Sequence, residues 1–356
     1  MTSVTDPCEL VDVIIGVDTH TRTHCAAAIN TKTGAVLDQI TINATAEGYQ
    51  QLTEFADQRT TTRGWAIEGT GSFGAGLSRY LTARHELVIE LDRPVRSARR
   101  NGAKSDPIDA IRAGREALQR DRIGTPRGAG DHARERQSLS LLLAARRSAV
   151  EGAASTKRQL FGLIVTAPDP IRQRFHGRSV STFPAVAIRL RIPRTADIET
   201  RTTITTLRTL AHRIRTLTTE ATTHEREIAT IVRAWRPDLL AQPGIGPIVA
   251  ATILCAWSHP GRIHSEAAFA MLAGVAPLPA SSGQVTTRYR INRRGDRHLN
   301  RALHTIVICR TKHDERTRNY IERRTSEGKT PREIRRCLKR YIARDLYRLL
   351  ETPALA

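Results

Sequence analysis

Residues 11–18, VDVIIGVD, form a nearly continuous apolar run closed by an acid, the pattern of a buried strand. HCAAAIN (24–30) and AVLDQITI (35–42) flank a Thr-Gly turn at 33–34 and read as a hairpin. A polar helix is expected over about 46–59, a short strand at GWAIE (64–68), a helix near 75–84 after the glycine-rich GTGSFG, and a further strand at ELVIEL (86–91). The resulting β-β-β-α-β-α-β order matches a ribonuclease-H-like α/β sheet.

From about residue 107 the pattern turns helical. The segment 131–166 is rich in Arg, Ala and Leu, and a proline-bearing, irregular stretch covers 167–197. Over 203–235, apolar or small residues recur at Leu207, Leu210, Ile214, Leu217, Ala221, Ile228, Ile231 and Trp235, with His224 on the same seam. Alternating spacings of three and four predict a coiled-coil hairpin or a dimer stalk. QPGIGPIVAATILCAW (242–257) opens a second compact region, with a Gly-Ile-Gly turn before an apolar helix in the manner of helix-hairpin-helix elements. Basic helices over about 296–310 and 331–350 complete the chain. The expected plan is α/β plus all-α, with domains at 1–122, 123–237 and 238–320 and a basic C-terminal helix at 321–356.

Length and composition narrow the class. The 356 residues exceed what one core usually organises, and 40% hydrophobic with 26% charged residues is ordinary for a water-soluble globular protein. IVAATILCAW (248–257) is far shorter than the roughly 20 apolar residues of a membrane span. The N-terminal MTSVTDPCELVD has neither a basic start nor an apolar core, so no secretory signal is visible and the cytoplasm is the expected location. Cys8, Cys25, Cys255, Cys309 and Cys337 are scattered, which argues against zinc fingers and a disulfide framework.

Charge changes the picture more. Fifty-six Lys+Arg against 35 Asp+Glu give a net charge of +21, and only Lys32, Lys104, Lys157, Lys312, Lys329 and Lys339 are lysines. Such an arginine excess points to a nucleic-acid partner, because guanidinium groups neutralise phosphates and release counterions. Aromatic residues are only 4%, so base stacking is not the expected main contact.

Four carboxylates stand out by position. Asp18 closes the first strand and Glu68 the fourth, which are neighbours in a ribonuclease-H-like order. In AKSDPIDAIRAG, Asp106 suits a helix N-cap, Pro107 the first helical position, and Asp109 follows on the same side of the first turn. Four converging acids repel one another unless a cation compensates, and hard carboxylate oxygens suit Mg²⁺ or Mn²⁺. Taken singly, Asp106 and Asp109 also suit a helix start, Asp18 a turn and Glu68 the surface. Arg93, Arg96, Arg99, Arg100 and Lys104 lie close by in sequence and are candidate phosphate contacts.

GVDTH, AIEGTGSFG and AKSDPIDA resemble the three acidic blocks of the DEDD transposases of the insertion-sequence one-ten family, also described as bridge-RNA-guided recombinases. QPGIGPIVAATILCAW, FAMLAGVAPLPASSG and INRRGDRHLNRAL resemble the second conserved domain of that family. The resemblance spans roughly 12–122 and 238–310. It implies an N-terminal RuvC-like domain, a long helical connector and a C-terminal helical transposase domain. Asp18, Glu68, Asp106 and Asp109 would then be the metal-binding tetrad, with Mg²⁺ or Mn²⁺ as cofactor. Ser282, beside Ser281, falls where the family has a nucleophilic serine that joins DNA through a phosphoserine link. Donor and target DNA, a noncoding guide RNA and a homo-oligomer, dimer to tetramer, are the implied partners. Arg288, Arg290, Arg293, Arg294 and Arg297 surround the serine block and are candidate phosphate ligands.

Overall fold

The computed structural model describes residues 11–59, 62–91, 105–120, 123–279, 289–292 and 295–352. The chain divides into two compact units. One comprises Met1–Arg136, Trp257–Phe269 and Tyr347–Glu351, and the other comprises Gln137–Ala256, Ala270–Leu346 and Thr352–Ala356.

The first unit is built on a five-stranded sheet. Strand β2 (Thr23–Asn30) pairs antiparallel with both β1 (Val13–Thr19) and β3 (Val36–Asn43), while β4 (Arg63–Glu68) pairs parallel with β1 and with β5 (Leu87–Leu91). The spatial order is β3-β2-β1-β4-β5. Helices α1 (Ala46–Asp57) and α2 (Ala75–Ala83) link the strands, and α3 (Asp106–Leu118) follows them. The expected strands and helices of this region are present to within about two residues at each end.

Strand alternation assigns the two faces. Val13, Ile15, Val17, Trp65 and Ile67 point into one core with Leu52 and Phe55 of α1 and Leu77 and Leu81 of α2. Ile14, Ala66, Ile89 and Leu91 point to the other face and meet Ala113 and Ala117 of α3. The buried face of α3 is a stripe of small residues, Ala110, Ala113, Gly114 and Ala117, which lets its backbone approach the sheet closely. Gly16 is the point of nearest approach: a Cβ there would collide with the Ala110 carbonyl oxygen and the Gly114 nitrogen.

The second unit is helical apart from a short ribbon. Its long helices are α4 (Ala133–Val165), which begins just inside the first unit, and α7 (Ile198–Trp235), separated by α5 (Asp169–Arg172), a 3₁₀ turn at Val180–Thr182 and α6 (Phe183–Ile188). Asp197 caps α7 by accepting a hydrogen bond from the Thr200 amide. Arg146 pairs with Glu225 at 2.9 Å and Gly152 faces Leu217, so α4 and α7 run antiparallel within one chain. Leu207, Leu210 and Ile214 of the apolar seam pack with Leu160 and Ile164 of α4 and with Ile171, Phe175 and Phe183 from the intervening stretch. That stretch, irregular by sequence, is the lid on this core.

After α8 (Pro237–Leu240) comes α9 (Pro247–Trp257), with fully buried residues at Ala250, Ala251, Ile253 and Leu254, as its apolar sequence requires. Helix α10 (Glu266–Leu272) leads into the ribbon β6 (Pro277–Pro279) and β7 (Tyr289–Ile291), followed by α11 (Arg297–His313), α12 (Glu315–Ser326) and α13 (Pro331–Glu351). Neither the ribbon nor α12 follows from the hydrophobic pattern. Only Thr317 of α12 is buried, and its start is marked instead by Asp314, whose carboxylate accepts from the Thr317 amide at 2.9 Å.

Candidate functional site

The sheet carries two of the four acids to one place. Asp18 follows Ile14 and Gly16 at intervals of two, and Glu68 follows Gly64 and Ala66, so both side chains belong to the face covered by α3. The β1–β4 register runs to Val17 opposite Ile67, which makes Asp18 and Glu68 neighbours across the next rung. Helix α3 brings its first turn to the same end of the sheet, because its small-residue stripe seats it directly on β1 and β2.

The start of α3 corrects one expectation. Ser105, not Asp106, is the N-cap, Asp106 is the first helical residue and Pro107 the second, and no side chain caps the helix. Pro107 has no amide hydrogen to satisfy, so a proline near this end costs the helix no hydrogen bond. The Asp106 carboxylate is therefore not consumed by capping. Instead it lies 3.5 Å from the Nε2 of His20, which lies 3.2 Å from Asp18 Oδ2.

Asp18, His20 and Asp106 each offer a ligand atom within 4.8 Å of the other two. Asp18 is half-buried; burial raises its carboxyl above the usual range, with further raising from Asp109 and Asp106 partly offset by His20. Asp109 is thus near enough to be felt electrostatically, while its own carboxylate accepts a 3.0 Å hydrogen bond from Arg112. Glu68 is exposed, and its backbone carbonyl accepts from the Thr19 hydroxyl at 3.0 Å. An acid whose carboxyl is raised by burial and like charges is one whose ionised form a cation would stabilise. Two hard carboxylates and an imidazole at this spacing fit a first-row divalent ion.

The histidine was not among the acids singled out from the sequence. It stands two residues beyond Asp18 in VDTH, just past the end of β1, and that closeness to a strand-end acid is the signal that could find it.

In the second unit the AGVAP block lies against Gly295, Asp296 and Asn300. A Cβ on Gly295 would strike the backbone of Gly274, and Gly274 itself has φ +67°. The Asn292 side chain donates to the Met271 carbonyl at 2.9 Å, the Asp296 amide to the Leu272 carbonyl at 2.6 Å, and Asn300 to the Ala273 carbonyl at 2.7 Å. Above this base, β6 and β7 pair as Pro277 with Ile291, Leu278 with Arg290 and Pro279 with Tyr289. Ser281, Ser282 and Arg288, within the segment between the two strands, lie outside the described residues, as do Arg293 and Arg294. Arg290 is the middle residue of β7, and Arg297 is exposed at the first position of α11. Arg93, Arg96, Arg99, Arg100 and Lys104 also lie outside the described residues.

Gly16→Ala is the test of how the acids are brought together. The added methyl meets backbone atoms that no rotamer can move, so α3 must shift or the fold must lose at least about 2 kcal/mol. The expected result is a lowered melting temperature with weakened Mn²⁺ binding, although no carboxylate has changed. Gly162→Ala, where a Cβ meets nothing and the helix gains propensity, should be neutral or slightly stabilising.

Comparison with known proteins adds an independent line. Residues 15–167 match a family described as Transposase, the DEDD type of IS110, and residues 237–322 match the Transposase IS116/IS110/IS902 family. The chain is 27% identical to an uncharacterized 42 kDa protein of insertion element IS900 from Mycobacterium paratuberculosis, over 88% of this chain and 89% of that one. It is 32% identical to an uncharacterized 43.6 kDa protein of insertion element IS110 from Streptomyces coelicolor, over 26% of this chain and 23% of that one. No helix among the described residues is long and apolar enough to cross a membrane.

Proposed function

The chain belongs to the IS110 family of DEDD transposases, enzymes of DNA recombination, and on that premise we propose that it cuts and rejoins DNA through a phosphoserine link to Ser282. Asp18, Glu68, Asp106 and Asp109 form the metal-binding tetrad of a RuvC-like domain at 1–122. A helical connector at 123–237 with a coiled-coil pairing, a serine-bearing domain at 238–320 and a basic helix at 321–356 complete the plan. The observation that carries the reading is the meeting of Asp18 at the end of β1 with Asp106 at the start of α3. The β3-β2-β1-β4-β5 order and the small-residue seat of α3 support the RuvC-like assignment.

The donor set fits Mg²⁺ or Mn²⁺, which when bound polarises a scissile phosphate and eases loss of a proton from an attacking hydroxyl. Asp18 and Asp106 hold the ion, with Glu68 and Asp109 completing the acidic face. The Ser282 hydroxyl forms a new P–O bond, and one bridging oxygen leaves as a DNA hydroxyl carrying a proton. Reversal with a different DNA hydroxyl restores a phosphodiester and frees the serine, so the bond energy is kept and no nucleotide triphosphate is needed. Arg288, Arg290, Arg293, Arg294 and Arg297, with Arg93, Arg96, Arg99, Arg100 and Lys104, neutralise phosphates along the path of the nucleic acid. The net charge of +21 supports polyanionic partners, which we assign as donor and target DNA and a noncoding guide RNA that pairs with both. Catalysis takes place in a homo-oligomer, in the nucleoid of the prokaryotic cytoplasm.

The experiment is adduct trapping. Protein, guide RNA and DNA carrying the element's ends are incubated with Mg²⁺ and quenched in detergent. A protease-sensitive protein–DNA species that disappears with chelator is expected. Cut DNA bearing free ends and no attached protein would instead establish a hydrolytic, junction-resolvase-type nuclease.

A further inference from the structure

The tetrad leaves one ligand-bearing residue of the acidic face without a role. We propose that His20 is itself a metal ligand, through Nε2, and that it biases the site toward Mn²⁺ over Mg²⁺; this rests on the reading of Asp18 and Asp106 as metal ligands.

The argument is geometric. Nε2 lies 3.2 Å from Asp18 Oδ2 and 3.5 Å from Asp106 Oδ1. A single ring nitrogen cannot direct one N–H well at two carboxylates on different elements, and the longer separation is not a hydrogen bond. Adjacent ligands around an ion with bonds of about 2.1 Å sit about 3 Å apart, and opposite ligands about 4.2 Å apart. Nε2 stands at about the adjacent-ligand spacing from both oxygens, and all three atoms fall within 4.8 Å of one another, so a small inward shift of the side chains closes them on one ion. The backbone holds His20 there: its amide donates to the Thr23 carbonyl at 3.0 Å, closing the tight β1–β2 connection and fixing the side chain beside the strand end. Its ring is about half exposed, so a ligand position facing solvent and substrate is open to it.

Donor chemistry then sets the preference. Mg²⁺ takes oxygen ligands and releases its waters reluctantly, whereas imidazole suits the first-row transition ions. Replacing one oxygen corner with nitrogen favours Mn²⁺ in the competition between the two.

Metal-free full-length protein titrated with Mn²⁺ and observed by electron paramagnetic resonance tests this. The bound ion should show the ¹⁴N modulation of a directly coordinated imidazole in pulsed spectra. His20→Gln should abolish the modulation and weaken Mn²⁺ binding at least about 10-fold. His20→Asp, which keeps a ligand but makes it oxygen, should retain binding while the Mn²⁺-to-Mg²⁺ affinity ratio falls about 10-fold, a shift for which roughly 1.4 kcal/mol suffices. Asp18→Asn serves as the separate control on the acidic site. Mn²⁺ bound in an Asp18-dependent way without nitrogen modulation, or modulation that survives His20→Gln, overturns the role of His20 and leaves the acidic site standing. Absence of any Asp18-dependent Mn²⁺ binding overturns the acidic-site reading and this inference together.

Discussion

Asp18→Asn is expected to lower DNA strand cleavage at least about 1,000-fold, roughly 4 kcal/mol of barrier, while leaving the fold intact. The substitution keeps the shape of the side chain and removes its charge. In the metal-free protein that charge is a liability, because burial and then the nearby Asp109 and Asp106 raise the Asp18 carboxyl despite the offset from His20. The sign of the linkage follows from the raised value. An acid that binds its proton more tightly in the folded state stabilises the fold below the unfolded-state range and withdraws that contribution as pH rises through the folded value. Metal-free wild type should therefore lose some stability as pH rises past the ordinary carboxylate range, and Asp18→Asn should not. Added Mn²⁺ should raise the melting temperature of the wild type at neutral pH and leave that of the variant nearly unchanged, since binding to the folded state alone stabilises it. Thermal unfolding with and without metal, alongside a cleavage assay, checks both halves. Wild-type cleavage in a variant that no longer responds to metal would remove Asp18 from the chemistry.

Ser282→Ala is expected to eliminate the protein–DNA adduct and with it strand exchange, a loss to the detection limit rather than a graded one. A hydroxyl that forms the covalent bond has no partial substitute, and a methyl group cannot attack phosphorus. DNA binding should persist with its salt dependence unaltered, because the phosphate contacts assigned to the arginines are untouched. Ser281→Ala, one residue earlier, should retain the adduct. Gel analysis of detergent-quenched reactions separates the pair. Adduct formation by Ser282→Ala and its loss in Ser281→Ala would move the nucleophile by one position, and intact exchange in both variants would end the phosphoserine mechanism.

The strand order of the first unit was legible because each strand carries its own signal. VDVIIGVD, HCAAAIN, GWAIE and ELVIEL are short, largely apolar runs bounded by turn residues, as strands buried on both faces require. The acidic blocks were legible by position at strand and helix ends. Other features had no such signal. Helix α12 buries a single threonine and has no apolar stripe, so its capping aspartate is its main mark. The β6–β7 ribbon is three residues a side with two prolines in β6, too short and too proline-rich to leave a strand signal in the sequence. The start of α3 was read one residue late, because Asp and Ser both cap helices and only the backbone tells which of two neighbours does.

By itself, the sequence determined the kind of chemistry available: carboxylates at strand ends, arginines in excess for a polyanion, and the order of blocks that places the chain among DEDD transposases. These are properties of residue type and local period, which no folding step alters. Only the tertiary structure decided which of those groups meet. Asp18 and Asp106 come together because glycine at position 16 and small residues along α3 allow two backbones to touch, a fact about packing between segments far apart in the chain. The same contact sets Asp106 3.5 Å from His20, an exposed residue just past the end of β1 that also lies 3.2 Å from Asp18.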